Sequence, residues 1–244
     1  ITGATGLIGT EVCRYLLSKG WKIVVSSREI GKGKKLEKEL KKLGRVSIVE
    51  MDLLNSSSLD RAVSDIKSRG IKISHLVNCA RSINTLSVNE FGMSDNKSLV
   101  EEMQLAVFAP YKLICKLAKD FDSMTSIVNI SSQYGLVVPN PLLYDEGLKN
   151  SPVSYGLSKA ALNHLTKELA VRLCEKKIRV NAIAFGGFEG RADHEFVKRY
   201  SQFLPLGRML KLEEAGPPVE FLLGKGSNSI NGHVLVADGG WTII

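Results

Sequence analysis

Aromatic residues supply only 7% of this 244-residue chain, and none of its apolar runs approaches the ~18 residues that a membrane-crossing helix needs. No membrane partner is therefore expected. The opening residues do not read as a secretory leader. Cysteine is sparse too. Cys13, Cys79, Cys115 and Cys174 are far apart, and none forms a close pair suited to zinc or redox work. They read as reduced, mostly buried thiols of a cytoplasmic protein. His75, His164, His194 and His233 are dispersed without ligand spacing, so no metal is expected; of the four, His194 is placed nearest a substrate. Linkers, repeats and low-complexity tracts are missing as well, and residues 1–244 read as a single domain.

What is present is positive charge: 33 Lys and Arg against 25 Asp and Glu, a net charge of +8. Much of the excess lies in two runs, 32–42 and 176–179. Glu37 and Glu39 interleave the first and Glu175 precedes the second, so both read as solvated helix faces. No basic stripe with interleaved aromatics appears, which argues against nucleic acid. An anionic small molecule remains compatible with the charge.

Short β-rich runs alternate with helical periods along the whole chain. Ile8, Val12 and Leu16 recur at helical spacing, with Gly20 as a C-terminal cap. Strands are expected at 23–25, 46–49, 75–77, 126–130, 179–184 and 234–236. Helical stripes fall at Leu36, Leu40 and Leu43, at Leu59, Val63 and Ile66, through 100–118, and over 155–174. Strict alternation with continuously apolar strands predicts an α/β fold, a doubly wound parallel sheet of Rossmann type. Thr2-Gly3 reads as the end of a first strand, and further apolar residues are expected before Ile1.

The motif Thr2-Gly3-Ala4-Thr5-Gly6-Leu7-Ile8-Gly9 places three glycines between a strand end and a helix start. There they permit a tight turn, approach of a pyrophosphate to backbone N–H groups, and close helix–strand packing. The end of the second strand reads Ser26-Ser27-Arg28. NAD-selective sites usually carry a carboxylate at this point for the ribose 2′-hydroxyl. Arg28 instead suits a 2′-phosphate and can stack on adenine, with Lys32 and Lys34 adding charge. NADP is expected over NAD, with NAD possible.

The later motifs, taken in order, resemble the short-chain dehydrogenase/reductase family across nearly the whole chain. Asp52-Leu53 is similar to the family's adenine-contacting dipeptide. Asn78-Cys79-Ala80 is similar to its Asn-Ala-Ala-Gly strand end, although Arg81 stands where glycine is usual. Val128-Asn129-Ile130-Ser131-Ser132 resembles the strand carrying the catalytic serine, here Ser132. Tyr155-Gly156-Leu157-Ser158-Lys159 resembles the Tyr-x-x-x-Lys signature. The runs 178–183, 205–208 and 236–240 resemble later landmarks. The resemblance implies Ser132, Tyr155 and Lys159 as the catalytic set. It implies a cofactor site of Gly3, Thr5, Gly6, Ile8, Gly9, Ser27, Arg28, Asp52, Leu53, Asn78, Ala80, Lys159 and Gly186.

Helical spacing supports those roles, because it puts Tyr155 and Lys159 on one face. An ammonium beside a phenol favours its anionic form, suiting Tyr155 to proton exchange with a carbonyl or alcohol oxygen. Lys159 also suits the nicotinamide ribose, and Ser132 suits the developing charge on the substrate oxygen.

Several positions depart from the family pattern. The asparagine of its proton relay falls at Ala106, with Gln104 nearby. Phe185-Gly186-Gly187 replaces a Pro-Gly segment, and no threonine follows. The stretch 188–200 is instead charged, with Glu189, Arg191, Asp193, His194 and Glu195. Ser132 and Tyr155 lie 23 positions apart, a longer interval than the family usually shows. The added residues include Pro139-Asn140-Pro141, Tyr144, Asp145 and Glu146. A loop entering there is expected to overhang the catalytic face and shape the substrate pocket. With Ser132-Gln133-Tyr134-Gly135, it resembles members associated with flagellin glycosylation and nonulosonic-acid pathways.

The expected activity is interconversion of a carbonyl and a hydroxyl on an anionic or sugar-like small molecule, such as a sugar phosphate or nucleotide sugar. Two alternatives stay open: a nucleotide-binding regulatory or scaffold protein with little turnover, and a sugar-nucleotide epimerase or dehydratase. Trp241 and Ile243-Ile244 read as an apolar tail buried against the body or a neighbouring subunit. By resemblance, this tail and the 155–174 helix are expected to join a homodimer or homotetramer.

Overall fold

The computed structural model describes residues 1–82, 88–145, 147–190 and 192–244, with the backbone alone at Asn150. Strands β1 (Ile23–Ser27) and β2 (Val46–Glu50) pair in parallel. Strands β3 (His75–Asn78), β4 (Ser126–Ser132), β5 (Arg179–Phe185) and β6 (Val234–Ala237) form a parallel sheet in that order. Ile1 and Thr2 join the two. The Ile1 amine donates to Val24 O at 2.8 Å, Ser26 N–H donates to Ile1 O at 3.1 Å, and Thr2 N–H donates to Val77 O at 3.0 Å. The spatial order is therefore β2-β1-(1–2)-β3-β4-β5-β6. It reverses direction at the glycine turn, where a doubly wound sheet opens a crevice at its strand ends.

Helices cover both faces. Helices α3 (Ser56–Ser68), α5 (Ala109–Asp120) and α6 (Val153–Arg172) pack into one core with Val49, Ile127 and Val180. Helices α1 (Leu7–Ser18), α2 (Ile30–Leu40) and α8 (Gly216–Leu223) form the other with Val25, Val128 and Ile183. Leu16, Leu113 and Leu222 are almost wholly buried, and each contributes roughly 1.5–3 kcal/mol through removal from water. A smaller third cluster joins Leu143, Met209 and Trp241 to Tyr200 and Leu204, from helix α7 (His194–Gln202) and the loop after it.

All six strands stand where the β-rich runs predict them, and Gly20 closes α1 at φ +81°. Other expectations change. The helix predicted over 100–118 is two helices, α4 (Asn96–Met103) and α5, joined by a π turn at Gln104–Phe108. Leu43 lies beyond α2 and is half exposed, because the helix ends at Leu40. Cys115 and Cys174 are exposed rather than buried. The run 176–179 is solvated only in part: Lys176 and Lys177 are exposed, whereas Arg179 is half-buried. Lys176 donates to Ala118 O, and Arg179 donates to Leu222 O and Ser227 Oγ at 3.0 Å, tying the α8 end to the sheet. Trp241 is buried, whereas Ile243 and Ile244 are exposed.

Candidate active site

The glycine turn owes its shape to backbone proximity. Gly3 has φ +64°, and a Cβ there would lie 2.6 Å from the Ala80 backbone; a Cβ on Gly9 would lie 2.2 Å from Gly3 O. Only glycine lets the first strand, the β3 end and α1 meet so closely. Helix α1 then starts at Leu7 with no side-chain cap and no acid in its first turn. Its leading N–H groups, and the positive end of the helix dipole, are thus left for an anion. Thr2 Oγ1 accepts from the N–H groups of Cys79 and Ala80 at 3.1 and 3.3 Å, fixing the β3 end against this turn.

A cleft of about 920 Å³ runs from this turn across the sheet's C-terminal edge. Gly3, Thr5, Gly6, Ile8 and Gly9 line one end with Ser27, Arg28 and Leu53; Ala80, Ser132, Tyr155, Lys159 and Gly186 line the remainder. Two predicted cofactor residues stand behind this wall. Asp52 Oδ1 accepts from Leu54 N–H at 3.0 Å, while its own N–H donates to Ser58 Oγ. Asn78 is buried and donates to Asn129 Oδ1 at 2.8 Å, and Asn129 in turn donates to Thr166 Oγ1. This buried amide chain ties β3 to β4 and α6.

Parallel register sets the other end of the cleft. Ser132 closes β4 opposite Phe185 at the end of β5, and its Oγ accepts from Tyr134 N–H at 3.2 Å. Tyr155 and Lys159 project from one face of α6. The buried Lys159 Nζ donates to Ile130 O at 3.0 Å and lies 5.7 Å from the Tyr155 ring centre. The Arg81 guanidinium carbon is closer to that ring, at 4.3 Å. Ala106 lies buried within the π turn and is not among the cleft-lining residues. Cys79 also lines the cleft, and burial pushes its thiol up to about 11 against the opposing pull of Lys159.

The opposite wall was not foreseen in its details. Gln133 is almost fully buried, and Tyr200 reaches it from α7. The Tyr200 hydroxyl accepts from Gly187 N–H at 2.8 Å and donates to Gln133 Oε1 at 3.0 Å. Burial pushes this phenol up to about 12, so it keeps its proton to donate. The Gln133 amide is thereby oriented with oxygen toward Tyr200 and its NH₂ as the remaining donor. The Tyr200 ring stacks on Trp241 at 4.6 Å between centroids. Gly186 and Gly187 have a reason too: a Cβ would meet Asp238 Cα at 2.8 Å or Met209 Cε at 2.8 Å.

Within the long interval before Tyr155, Tyr134, Tyr144, Ser151 and Pro152 line the cleft, as predicted for a loop overhanging the catalytic face. The Tyr134 and Tyr144 hydroxyls approach to 3.5 Å, and Arg199 pairs with Asp145 at 2.9 Å. Glu146 and Arg191 lie outside the described residues. Asp193 Oδ1 caps α7 through Phe196 N–H at 2.8 Å. His194 is exposed and is not among the cleft-lining residues.

A doubly wound sheet with an uncapped glycine turn, and a tyrosine–lysine helix at the far end of one cleft, define a dinucleotide-type oxidoreductase architecture. The chain belongs to the short-chain dehydrogenase/reductase family: residues 3–242 match the family model described as enoyl-(acyl carrier protein) reductase. It is 27% identical over 252 residues to the post-translational flagellin modification protein A of Campylobacter coli, covering 99% of this chain and 96% of that protein. It is 25% identical over 251 residues to the galactitol 2-dehydrogenase (L-tagatose-forming) of Cereibacter sphaeroides, covering 100% and 94%. Among solved structures, a gluconate 5-dehydrogenase from Burkholderia cenocepacia, in complex with NADP and tartrate, superimposes with a TM-score of 0.87 at 21% identity, covering 100% and 94%. Among the described residues, no helix is long and apolar enough to cross a membrane.

Proposed function

We propose that this chain is an NADP-dependent oxidoreductase interconverting a carbonyl and a hydroxyl on a sugar-like substrate, with Tyr155 as the proton-exchanging group. The observation that carries the reading is the joining of Ser132, Tyr155 and Lys159 to the glycine turn and Arg28 in one cleft.

The residues present fit a dinucleotide. A side chain at Gly3 or Gly9 would run into the backbone at Ala80 or Gly3 and force the turn, the β3 end and α1 apart. The open first turn of α1 suits the diphosphate, and Arg28 suits a 2′-phosphate. When bound, the cofactor would supply the hydride in reduction and take it up in oxidation. Tyr155 donates a proton to the carbonyl oxygen during reduction, or accepts it during oxidation. Ser132 Oγ hydrogen-bonds the same oxygen and stabilises charge developing there. Lys159, held by Ile130 O, keeps a positive charge beside the phenol and suits the ribose hydroxyls. Leu105 and Phe185 add apolar surface to the cleft wall. The sugar-like substrate draws support from the flagellin-modifying and galactitol-oxidising relatives, and from the polar groups of Gln133, Tyr134 and Tyr144 on the substrate wall.

The test follows absorbance of the reduced cofactor across ketoses, ketose phosphates and nucleotide sugars. Net NADPH oxidation is expected, with Tyr155→Phe lowering kcat by at least about a hundredfold, the low end for loss of a general acid. Binding without turnover in the unaltered protein defeats the enzymatic reading. Product without net cofactor change defeats it in favour of epimerisation or dehydration. NADH bound as tightly as NADPH removes the role of Arg28.

A further inference from the structure

Four cations and one carboxylate line the cleft among the described residues: Arg28, Lys32, Arg81, Lys159 and Asp193. Most of these charges already have work. Arg28 and Lys32 stand at the adenosine end, and Lys32 pairs with Glu29 at 2.8 Å. Lys159 is bonded to Ile130 O, and Asp193 caps α7. Arg81 differs. Like Arg28 it is exposed and no hydrogen bond or ion pair with another described residue engages it, but its guanidinium carbon lies 4.3 Å from the Tyr155 ring centre, at the opposite end from the glycine turn.

We propose that Arg81 is a specificity-determining residue that receives an oxyanion of the substrate, a phosphate or carboxylate carried near the reacting carbonyl. This deepens the reading above and rests on it. The ring beneath the guanidinium holds its position by cation–π attraction, so less side-chain freedom is lost when an anion arrives. A guanidinium presents paired N–H donors that match two oxygens of a phosphate or carboxylate. Its neighbour in space is the proton-exchanging phenol, so an oxyanion seated there brings the substrate's carbonyl end toward Tyr155. Asp193 is the lone acid among the described lining residues and already accepts from Phe196 N–H; with four cations against it, the field of this cleft favours anions. The diphosphate of the cofactor carries the same chemistry, but its place is the α1 turn, away from the phenol.

The experiment titrates the full chain, saturated with NADP⁺, with inorganic phosphate, a six-carbon ketose phosphate, a 2-oxo acid and the free ketose by calorimetry. Arg81→Gly and Arg81→Lys are compared with the unaltered protein. Arg81→Gly is expected to weaken the preferred oxyanion about ten- to a hundredfold, the range of a charge-assisted hydrogen bond. Arg81→Lys should lose less, and the affinity for NADP⁺ should hold within about twofold in both. The ketose phosphate and 2-oxo acid arms tell a phosphate from a carboxylate. Binding of none of the three oxyanions, or equal binding by Arg81→Gly, overturns the proposal. A loss of NADP⁺ affinity with unchanged oxyanion binding also overturns it and assigns the cation to the cofactor. Turnover separates the two readings. Oxyanion binding through Arg81 without turnover of any carbonyl supports the anion site and sinks the oxidoreductase. Turnover that treats charged and neutral ketoses alike in both proteins sinks the anion site alone.

Discussion

The end of the cleft proposed for the cofactor is built round a backbone turn, Gly3, Gly6 and Gly9 against the β3 end and the open first turn of α1. At the end proposed for the substrate the surface is mostly side chain, formed by Tyr134, Tyr144, Phe196 and Tyr200 around Gln133. The first end sits between regular elements whose register leaves it little freedom. The second hangs on short helical turns at 133–135 and 141–143 and on the nine-residue α7. A backbone surface suits a ligand common to many enzymes, and a side-chain surface can vary without disturbing it. Damage to the first end should therefore abolish cofactor binding, and damage to the second should change substrate use.

The largest effect is expected from Gly9→Ala. The new Cβ would stand 2.2 Å from Gly3 O, a backbone atom with little room to move. Overpacking of this kind costs about 1–3 kcal/mol, occasionally more. The melting temperature should fall, and fluorescence titration should show NADPH affinity down by more than about tenfold, since every 1.4 kcal/mol is a factor of ten. Retention of both would show that α1 can retreat from the turn, and the contrast between a rigid and an adaptable end would weaken.

Tyr200→Phe comes next and probes the other end. It removes one hydroxyl that both accepts from Gly187 and donates to Gln133, leaving the buried Gln133 oxygen unpaired at about 1–3 kcal/mol and the part-buried Gly187 N–H without its partner. The expected signature is a raised KM for the carbonyl substrate with NADPH affinity nearly unchanged. If NADPH affinity falls as much as substrate affinity, the two ends are one cooperative unit.

The same contrast governs what could be read before any coordinates. Periodicity announced all six strands, because a buried parallel strand is a short continuous apolar run, and the glycine turn because its residues are its mechanism. The π turn at 104–108 leaves no mark in the sequence, since its surplus residue leaves the apolar character of Leu105, Ala106 and Val107 intact. Leu43 kept the helical spacing although α2 had already ended at Leu40. Arg179 looked like part of a solvated run because a charge pattern does not show that carbonyls from Leu222 and Gly224 converge on it. Gln133 and Tyr200 lie 67 positions apart, and nothing local in either stretch reports their pairing. The signal available was the unusual interval between Ser132 and Tyr155, which marked the region without naming its partners.

The smallest expected effect lies outside both ends, at the loop leading into α8. Arg208 meets Glu214 through two hydrogen bonds of 2.8 Å, and Glu214 also accepts from Lys211 N–H at 2.7 Å. The Arg208 guanidinium first, then that backbone donor, hold the Glu214 carboxyl down at about 2 from its ordinary 4.5. A depressed carboxyl stabilises the folded state when it is ionised. Its contribution is thus complete above about pH 4.5 and is lost as pH falls toward 2. Both side chains are partly solvated, so Glu214→Gln should cost only about 0.2–1 kcal/mol at neutral pH. Urea unfolding near pH 7 and near pH 3 should show the gap between variant and unaltered protein narrowing at the lower pH, and shrinking with added salt. A gap that persists unchanged would mean that this turn is held by backbone geometry and not by charge. It would then behave like the glycine turn, and backbone construction would extend beyond the site proposed for the dinucleotide.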